Sequence, residues 1–389
     1  MADCPSCGAT CSGAFFVLPG APVVCNVLCD SAAQARAVPH GDIRLVVCPS
    51  CGLVFNEAFD PDAIKYSGEY ENALHFSAVF REHESWLVRT LVEEMGVRDA
   101  LVAEIGCGDG HFLGALCEAG DNRGVGFDPA FDEARHASSL HRRVRVTAEH
   151  FDASKLAGER LGAVCCRHVL EHIPVPRPFV QGLREQLESP ETVVCFEVPS
   201  AMQVLRSRGF WDVLYEHCTY YAPVSMRRLF GSVGFPVTRC EHRYGEQFLC
   251  LFANPGDAER GSAGDEAEVA EVTELAGAFG RAFEVARDAW RERLLAMEGP
   301  VVVWGAGTKG VMFLAAMGEA AERVDRVVDL NPRKHRKLTV GTARPIVGPE
   351  DLRSLRPKAI LVMNPAYRDE IAEQARALGL EAEVLVVQG

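Results

Sequence analysis

The sequence predicts an α/β protein: a doubly wound sheet, a second Rossmann-like unit C-terminal to it, and a small cysteine-rich unit in front. Three observations predict this. Strand–glycine–helix patterns occur at 100–113 and again at 301–310, the local signature of parallel sheets with a ligand crevice at their carboxyl edge. The motif Cys4-Pro5-Ser6-Cys7-Gly8 recurs as Cys48-Pro49-Ser50-Cys51-Gly52. The chain has 389 residues, 48% hydrophobic and 24% charged, enough for two or three globular domains. The expected division is residues 1–60, 61–255, a linker and helix at 256–298, and 299–389.

Composition excludes several classes. No run of about 18 apolar residues is present, so no spanning helix and no membrane partner are expected. The net charge of −14 argues against nucleic acid as a partner. Fifteen cysteines, an odd number, without a basic and apolar leader in Met1–Cys7, read as reduced thiols and metal ligands in a cytoplasmic protein.

In the first block, two CxxC knuckles offer four thiolates, Cys4, Cys7, Cys48 and Cys51, to a tetrahedral zinc. The pairs lie further apart than the commonest spacing, which a hairpin insertion would fill. Cys11, Cys25 and Cys29 lie inside the gap as alternative ligands. Four thiolates leave no open position, so the expected zinc is structural, replacing a core that so short a unit cannot build.

In the second block, Ala100-Leu-Val-Ala-Glu104-Ile-Gly106-Cys-Gly108-Asp-Gly110 reads as a buried strand and a glycine turn, followed by a helix. The third glycine comes one residue earlier than in GxGxxG. This GxGxG form after Glu104 resembles the first motif of class I S-adenosylmethionine (SAM) methyltransferases. Gly124-Val-Gly-Phe-Asp128 follows as a strand ending in an acid, where a carboxylate can hold ribose hydroxyls. Further on, Arg167-His168-Val-Leu-Glu171-His172-Ile-Pro174 carries two histidines at i and i+4, one face if the segment is helical. His172 reads as an active-site residue and His168 as shaping the SAM pocket.

Glu197-Val-Pro199 and Phe210-Trp-Asp-Val-Leu-Tyr215-Glu216-His217-Cys-Thr-Tyr220-Tyr221 complete the pattern. With the CPxCG pairs, GCGDG and RHVLEHIP, nearly the whole chain resembles the sugar C-methyltransferases of deoxysugar biosynthesis. That resemblance implies a zinc-binding domain, a class I SAM-methyltransferase domain and a Rossmann-like C-terminal domain. It implies SAM bound by Glu104, Gly106, Gly108, Asp128 and His168, and a nucleotide-sugar as the small-molecule substrate. It makes Glu216 and His217 catalytic, with His172 and a tyrosine at Tyr66 or Tyr70. The chain departs from the family at Leu214, where an aromatic is usual, and Tyr215 beside the acid is counted with the catalytic group instead. Tyr244-Gly-Glu-Gln-Phe248 replaces a His-Gly-Gly stretch near the substrate.

The chemistry asks for such groups. Methyl transfer to carbon needs a proton removed next to a ketone, with charge passing to an enolate. An imidazole suits the base, hence His217, oriented by Glu216. His172 or a tyrosine would stabilise the enolate oxygen.

After the small polar stretch 254–265, a charged, Ala-rich segment from about Glu266 to Met297 has the composition of a long helix. Then Gly305-Ala-Gly307-Thr-Lys309-Gly310 fits GxGxxG, with Asp329 where a ribose-binding acid would sit. Taken alone, this favours an NAD-dependent oxidoreductase as a rival reading. The resemblance instead assigns the unit to the nucleotide-sugar, with Lys309 and Asn364 on the substrate side. Methylation of O or N on another small metabolite is the remaining alternative.

Overall fold

The computed structural model describes residues 1–64, 74–136, 140–156, 158, 160–258 and 264–388. A seven-stranded sheet occupies the middle of the chain. Its strands are Leu101–Ile105, Arg123–Phe127, Val144–Thr147, Leu161–Arg167, Val193–Pro199, Val237–Arg243 and Phe248–Ala253. Numbered by chain order within the sheet, they lie 6-7-5-4-1-2-3, and only the seventh runs against the direction of the other six. The strand order reverses between the first and fourth strands, so a crevice opens outside their carboxyl ends. The first, fourth and fifth strands are nearly continuous apolar runs because helices cover both faces.

A five-stranded parallel sheet follows: Val301–Trp304, Val324–Val328, Ile346–Val347, Ala359–Val362 and Glu383–Val386, in the order 3-2-1-4-5. It too reverses beside its first strand. The α/β class and the doubly wound arrangement expected from the two glycine patterns are what the chain adopts.

The N-terminal residues form a short hairpin, Ala2–Asp3 with Thr10–Cys11, and an antiparallel sheet. The hairpin Phe16–Pro22 and His40–Val47 fills the gap between the cysteine pairs, with Val54–Asn56 beside it. The sheet is completed from the middle of the chain, where Thr219 and Tyr220 pair with Phe55 and Val54. That pairing ties the segment just after His217 to the N-terminal unit.

A 32-residue helix, Asp265–Ala296, spans the back of the molecule. Phe279 and Phe283, one turn apart on one face, clamp Phe16 and Phe210 with ring centroids 4.6 to 5.5 Å apart. Gly280 lies between them because the Phe15 carbonyl oxygen occupies the place a side chain would take. No helix among the described residues is long and apolar enough to cross a membrane.

Candidate active site

The glycine turn after Leu101–Ile105 has Gly106, Gly108 and Gly110 all at positive φ, 70°, 54° and 78°, which L side chains resist. Gly108 faces open space, with no atom within 4 Å of where its Cβ would be. At Gly106 the close neighbour is the Val169 side chain. Asp128, at the end of the next strand, braces the turn: Oδ2 accepts from Gly108 N at 2.8 Å and Oδ1 from Ala130 N at 2.8 Å. Each oxygen keeps a second lone pair for a ligand hydroxyl. Glu104 is buried with Oε2 lacking a partner among the described residues, and burial pushes its carboxyl up to about 8.

A cavity of about 290 Å³ lies between the carboxyl edges of the two sheets. His168, His172 and His217 line one end; Lys309, Asp329 and Asn364 line the other. The histidine segment is not an α-helix. Leu170–His172 is a single 3-10 turn and His168 stands at φ 53°. His168 and His172 therefore do not share a helical face, because the Ile-Pro that follows and the tethers to Thr219 end the turn. Thr219 Oγ1 and Cys218 Sγ donate to the carbonyl of Glu171 at 3.4 Å each, and Tyr220 closes the 214–220 loop through its hydroxyl. These bonds bring two distant segments together: the His172 and His217 rings meet edge to face with centroids 4.9 Å apart.

Two expected catalytic residues point elsewhere. Tyr215 is turned away from the cavity. Its hydroxyl accepts from Asp60 N at 2.9 Å and its ring packs on Phe59, while Leu214 takes the cavity side, as alternation along an extended segment requires. Glu216 is fully buried, and its Oε2 accepts from Cys25 N at 3.1 Å. It acts on the site through its backbone, whose carbonyl accepts from His172 Nδ1 at 2.9 Å. Tyr66 and Tyr70 lie outside the described residues.

A methyltransferase-domain family model matches residues 80–239, and a "C-methyltransferase C-terminal domain" model matches 265–387. The C-methyltransferase NovU of Streptomyces niveus is 28% identical over 356 residues, spanning 86% of this chain and 83% of its own. These matches support a C-methyltransferase family. The chain is a SAM-dependent methyltransferase. Among solved structures it is similar to magnesium protoporphyrin IX methyltransferase from Synechocystis PCC 6803 with bound S-adenosylhomocysteine. That match has 18% identity and a TM-score of 0.36, covering 46% of this chain and 84% of that one. It is also similar to a SAM-dependent methyltransferase from Clostridium acetobutylicum, with 11% identity and a TM-score of 0.35, covering 46% and 92%.

In this methyltransferase, the open face at Gly108, the acceptor oxygens of Asp128 and the orphaned Oε2 of Glu104 fit a nucleoside with ribose hydroxyls and a cationic sulfur. Beneath them runs a buried ionic network that sequence reading missed. Arg167 donates to Glu197 Oε1 at 3.1 Å and lies 3.4 Å from Glu84 Oε1; His83 meets Glu197 Oε2 at 2.6 Å, and His111 meets Glu84 Oε2 at 2.8 Å. Burial would raise the Glu197 carboxyl, yet Arg167 and the histidines hold it well below the carboxylate range. Burial would lower His168, but Glu171 and Glu197 push it up to about 9. The opposite holds for His217. Burial first, then His172, push it down to about 3 against an opposing push from Glu171, so the ring is neutral.

At the far end of the cavity, Lys309 Nζ pairs with Asp212 Oδ1 at 2.8 Å and reaches Gln247 Oε1 at 3.4 Å. Asn364 also lines the cavity, though its Oδ1 caps the following turn by accepting from Ala366 N. Asp329 repeats the role of Asp128, accepting from Ala306 N and Asn331 N at 2.9 Å each. Outside this cavity, the sulfurs of Cys4, Cys7, Cys48 and Cys51 lie within 4.8 Å of one another. Cys4–Cys51 and Cys7–Cys48 are 3.6 and 3.5 Å apart, close to the roughly 3.8 Å tetrahedral edge set by zinc–sulfur bonds of about 2.3 Å. Cys11, Cys25 and Cys29 are not in this cluster.

Proposed function

We propose that this enzyme methylates a carbon next to a keto group of a nucleotide-activated sugar. The observation that carries the reading is the position of Lys309. It stands where the cavity holding His172 and His217 meets a second pocket of about 390 Å³, the two sharing Gln203, Asp212, Gln247, Lys309 and Met363. Two connected compartments with a cation at the junction suit a two-part ligand joined by a diphosphate. The sugar would enter the histidine compartment and the nucleotide the other. The helix Thr308–Met317 turns its N-terminus toward the junction and favours the same anion.

SAM, when bound beside Gly108 and Asp128, supplies a methyl group on a sulfonium. The protein's own residues do the rest. His217, neutral in its buried position, takes the proton next to the ketone. Its Nδ1 is shut off from solvent, which leaves Nε2 as the reacting nitrogen. His172 donates through Nδ1 to the Glu216 carbonyl, so its Nε2 is an acceptor and suits a sugar hydroxyl better than an enolate oxygen. The enolate oxygen is then left to other donors lining the cavity. The four clustered cysteines would hold one structural zinc.

The test is direct. Candidate nucleotide-diphospho keto-sugars are incubated with SAM, and the products are weighed by mass spectrometry. A gain of one methyl that survives mild acid and base, with the new carbon–carbon bond located by NMR, supports the reading. A methyl found on oxygen or nitrogen overturns it. A thermal-shift comparison of SAM, S-adenosylhomocysteine and NADH separates it from the oxidoreductase alternative, for which NADH alone would stabilise the protein.

A further inference from the structure

Glu171 is a buried carboxylate that the proposed chemistry leaves without a task. It is 2% exposed, and neither oxygen has a hydrogen-bond partner among the described residues. Buried acceptors are nearly always paired, so an exception asks for a reason. Its nearest cationic neighbour is His168, whose Nδ1 forms an ion pair with Oε1 at 3.6 Å, longer than a hydrogen bond. One of its oxygens and a ring nitrogen each from His172 and His217 lie within 4.8 Å of one another. The backbone is pinned there, because Cys218 Sγ and Thr219 Oγ1 both donate to the Glu171 carbonyl. The residue lines the cavity, but both carboxylate oxygens are shut off from solvent and the group lies against the two histidines, which makes those rings the groups the charge reaches first.

We propose that Glu171 is a positioning residue whose carboxylate supplies the counter-charge for His217 when that ring takes the substrate's proton. This rests on the reading given under Proposed function. A neutral imidazole held in an apolar pocket is a poor base unless something stabilises the imidazolium it becomes. An opposite charge within about 4–6 Å does so by about one to three pK units. In the step, the proton on the carbon next to the ketone passes to His217, and the C–H electron pair becomes the enolate, with its charge on the ketone oxygen. The enolate carbon then takes the methyl from the sulfonium sulfur, which keeps the C–S electron pair, and His217 returns its proton to solvent.

The groups around Glu171 are consistent with a permanent anion. His168 and His172 face it from its own segment, and His217 and Cys218 from the loop before Thr219. Cys166 faces it from the strand Leu161–Arg167 and Tyr221 from just past the strand Thr219–Tyr220. Burial keeps Cys166, Cys218 and Tyr221 protonated. Burial would also raise the Glu171 carboxyl, but the protonated His168 beside it holds it below its ordinary value.

The experiment separates proton removal from methyl transfer. A nucleotide-diphospho-4-keto-hexose deuterated at both carbons flanking the ketone is incubated with enzyme and S-adenosylhomocysteine, and deuterium loss is followed by mass spectrometry. Wild type should exchange one position. Glu171→Gln, with S-adenosylhomocysteine binding intact, should slow exchange and methyl transfer alike by about 100-fold and leave KM within about twofold. Glu171→Asp keeps the charge and should exchange within about tenfold of wild type, which decides the matter if the Gln variant does not fold. Wild-type exchange at full rate in Glu171→Gln, or Glu171→Asp as inert as His217→Ala, would overturn the proposal. Absence of exchange and methylation in wild type would instead sink the keto-sugar reading itself.

Discussion

His172 and Glu216 are joined by a 2.9 Å hydrogen bond from the imidazole Nδ1 to the backbone carbonyl, not to the carboxylate. The bond fixes the tautomer of His172, which burial holds below its usual pKa. The Glu216 carboxylate meanwhile accepts from Cys25 N. An acid and an imidazole adjacent in sequence, Glu216-His217, thus serve different neighbours. The acid anchors the N-terminal unit and the imidazole faces the cavity.

His217→Ala is therefore expected to lower kcat by at least about 100-fold, the ordinary worth of a general base. Affinity for S-adenosylhomocysteine, measured by calorimetry, should stay unchanged, because His217 is not one of the residues that build or brace the glycine turn. Turnover near the wild-type rate would move the base role to another residue.

Ligand-free protein should lose stability between pH 6.5 and 8. His217, pushed down to about 3, is neutral in the fold and gains a proton on unfolding only below its ordinary 6.5. Its share of stability is whole above pH 6.5 and drains as pH falls. His168, raised to about 9, and Glu104, raised to about 8, keep protons in the fold that the unfolded chain has released. Between 6.5 and 8 both make stability fall with rising pH, each by about 1.4 kcal/mol per pH unit at most. Glu104→Gln should flatten that decline, which scanning fluorimetry across pH 6.5–8.5 would detect. An equal slope in wild type and variant would show that Glu104 does not carry a proton there.

Metal analysis should find about one zinc per chain, and Cys48→Ser with Cys51→Ser should abolish it. The effect should reach catalysis. Val54–Asn56 begins just past Cys51 and Gly52, and it pairs with Thr219 and Tyr220 immediately after His217. Chelation is expected to lower the melting temperature and turnover together. Full activity in a zinc-free protein would uncouple the two.

Local pattern carried the parts of this molecule that are local. The two glycine turns, the acids Asp128 and Asp329, and the paired cysteines each lie within a few residues of the feature that reveals them. What the sequence hid depends on chain segments meeting in space. Glu171 was legible only as one letter between two histidines, and its lack of a hydrogen-bond partner among the described residues is a property of the packed pocket. The network of Glu84, Arg167 and Glu197 joins a helix and two strands from separate stretches of chain. Tyr215 misled because adjacency to an acid says nothing about which side of an extended segment a ring takes. The i and i+4 spacing of His168 and His172 misled because a 3-10 turn replaced the helix that would have aligned them.

The pair Lys309–Asp212 yields the sharpest contrast between substrate-binding and merely structural roles. Both side chains are about one-fifth exposed, at the junction of the two pockets. If Lys309 meets a diphosphate, Asp212 competes for the same ammonium in the empty enzyme. Lys309→Ala should then raise KM for the nucleotide-sugar by about tenfold or more, the worth of a charged hydrogen bond, with a much smaller change in kcat. Asp212→Asn should act in the opposite direction, since it frees the cation and removes a repelling carboxylate, and KM should fall. A latch that only holds the two sheets together would respond alike to losing either partner. Parallel losses of melting temperature and kcat in both variants, without opposed shifts in KM, would assign the pair to structure.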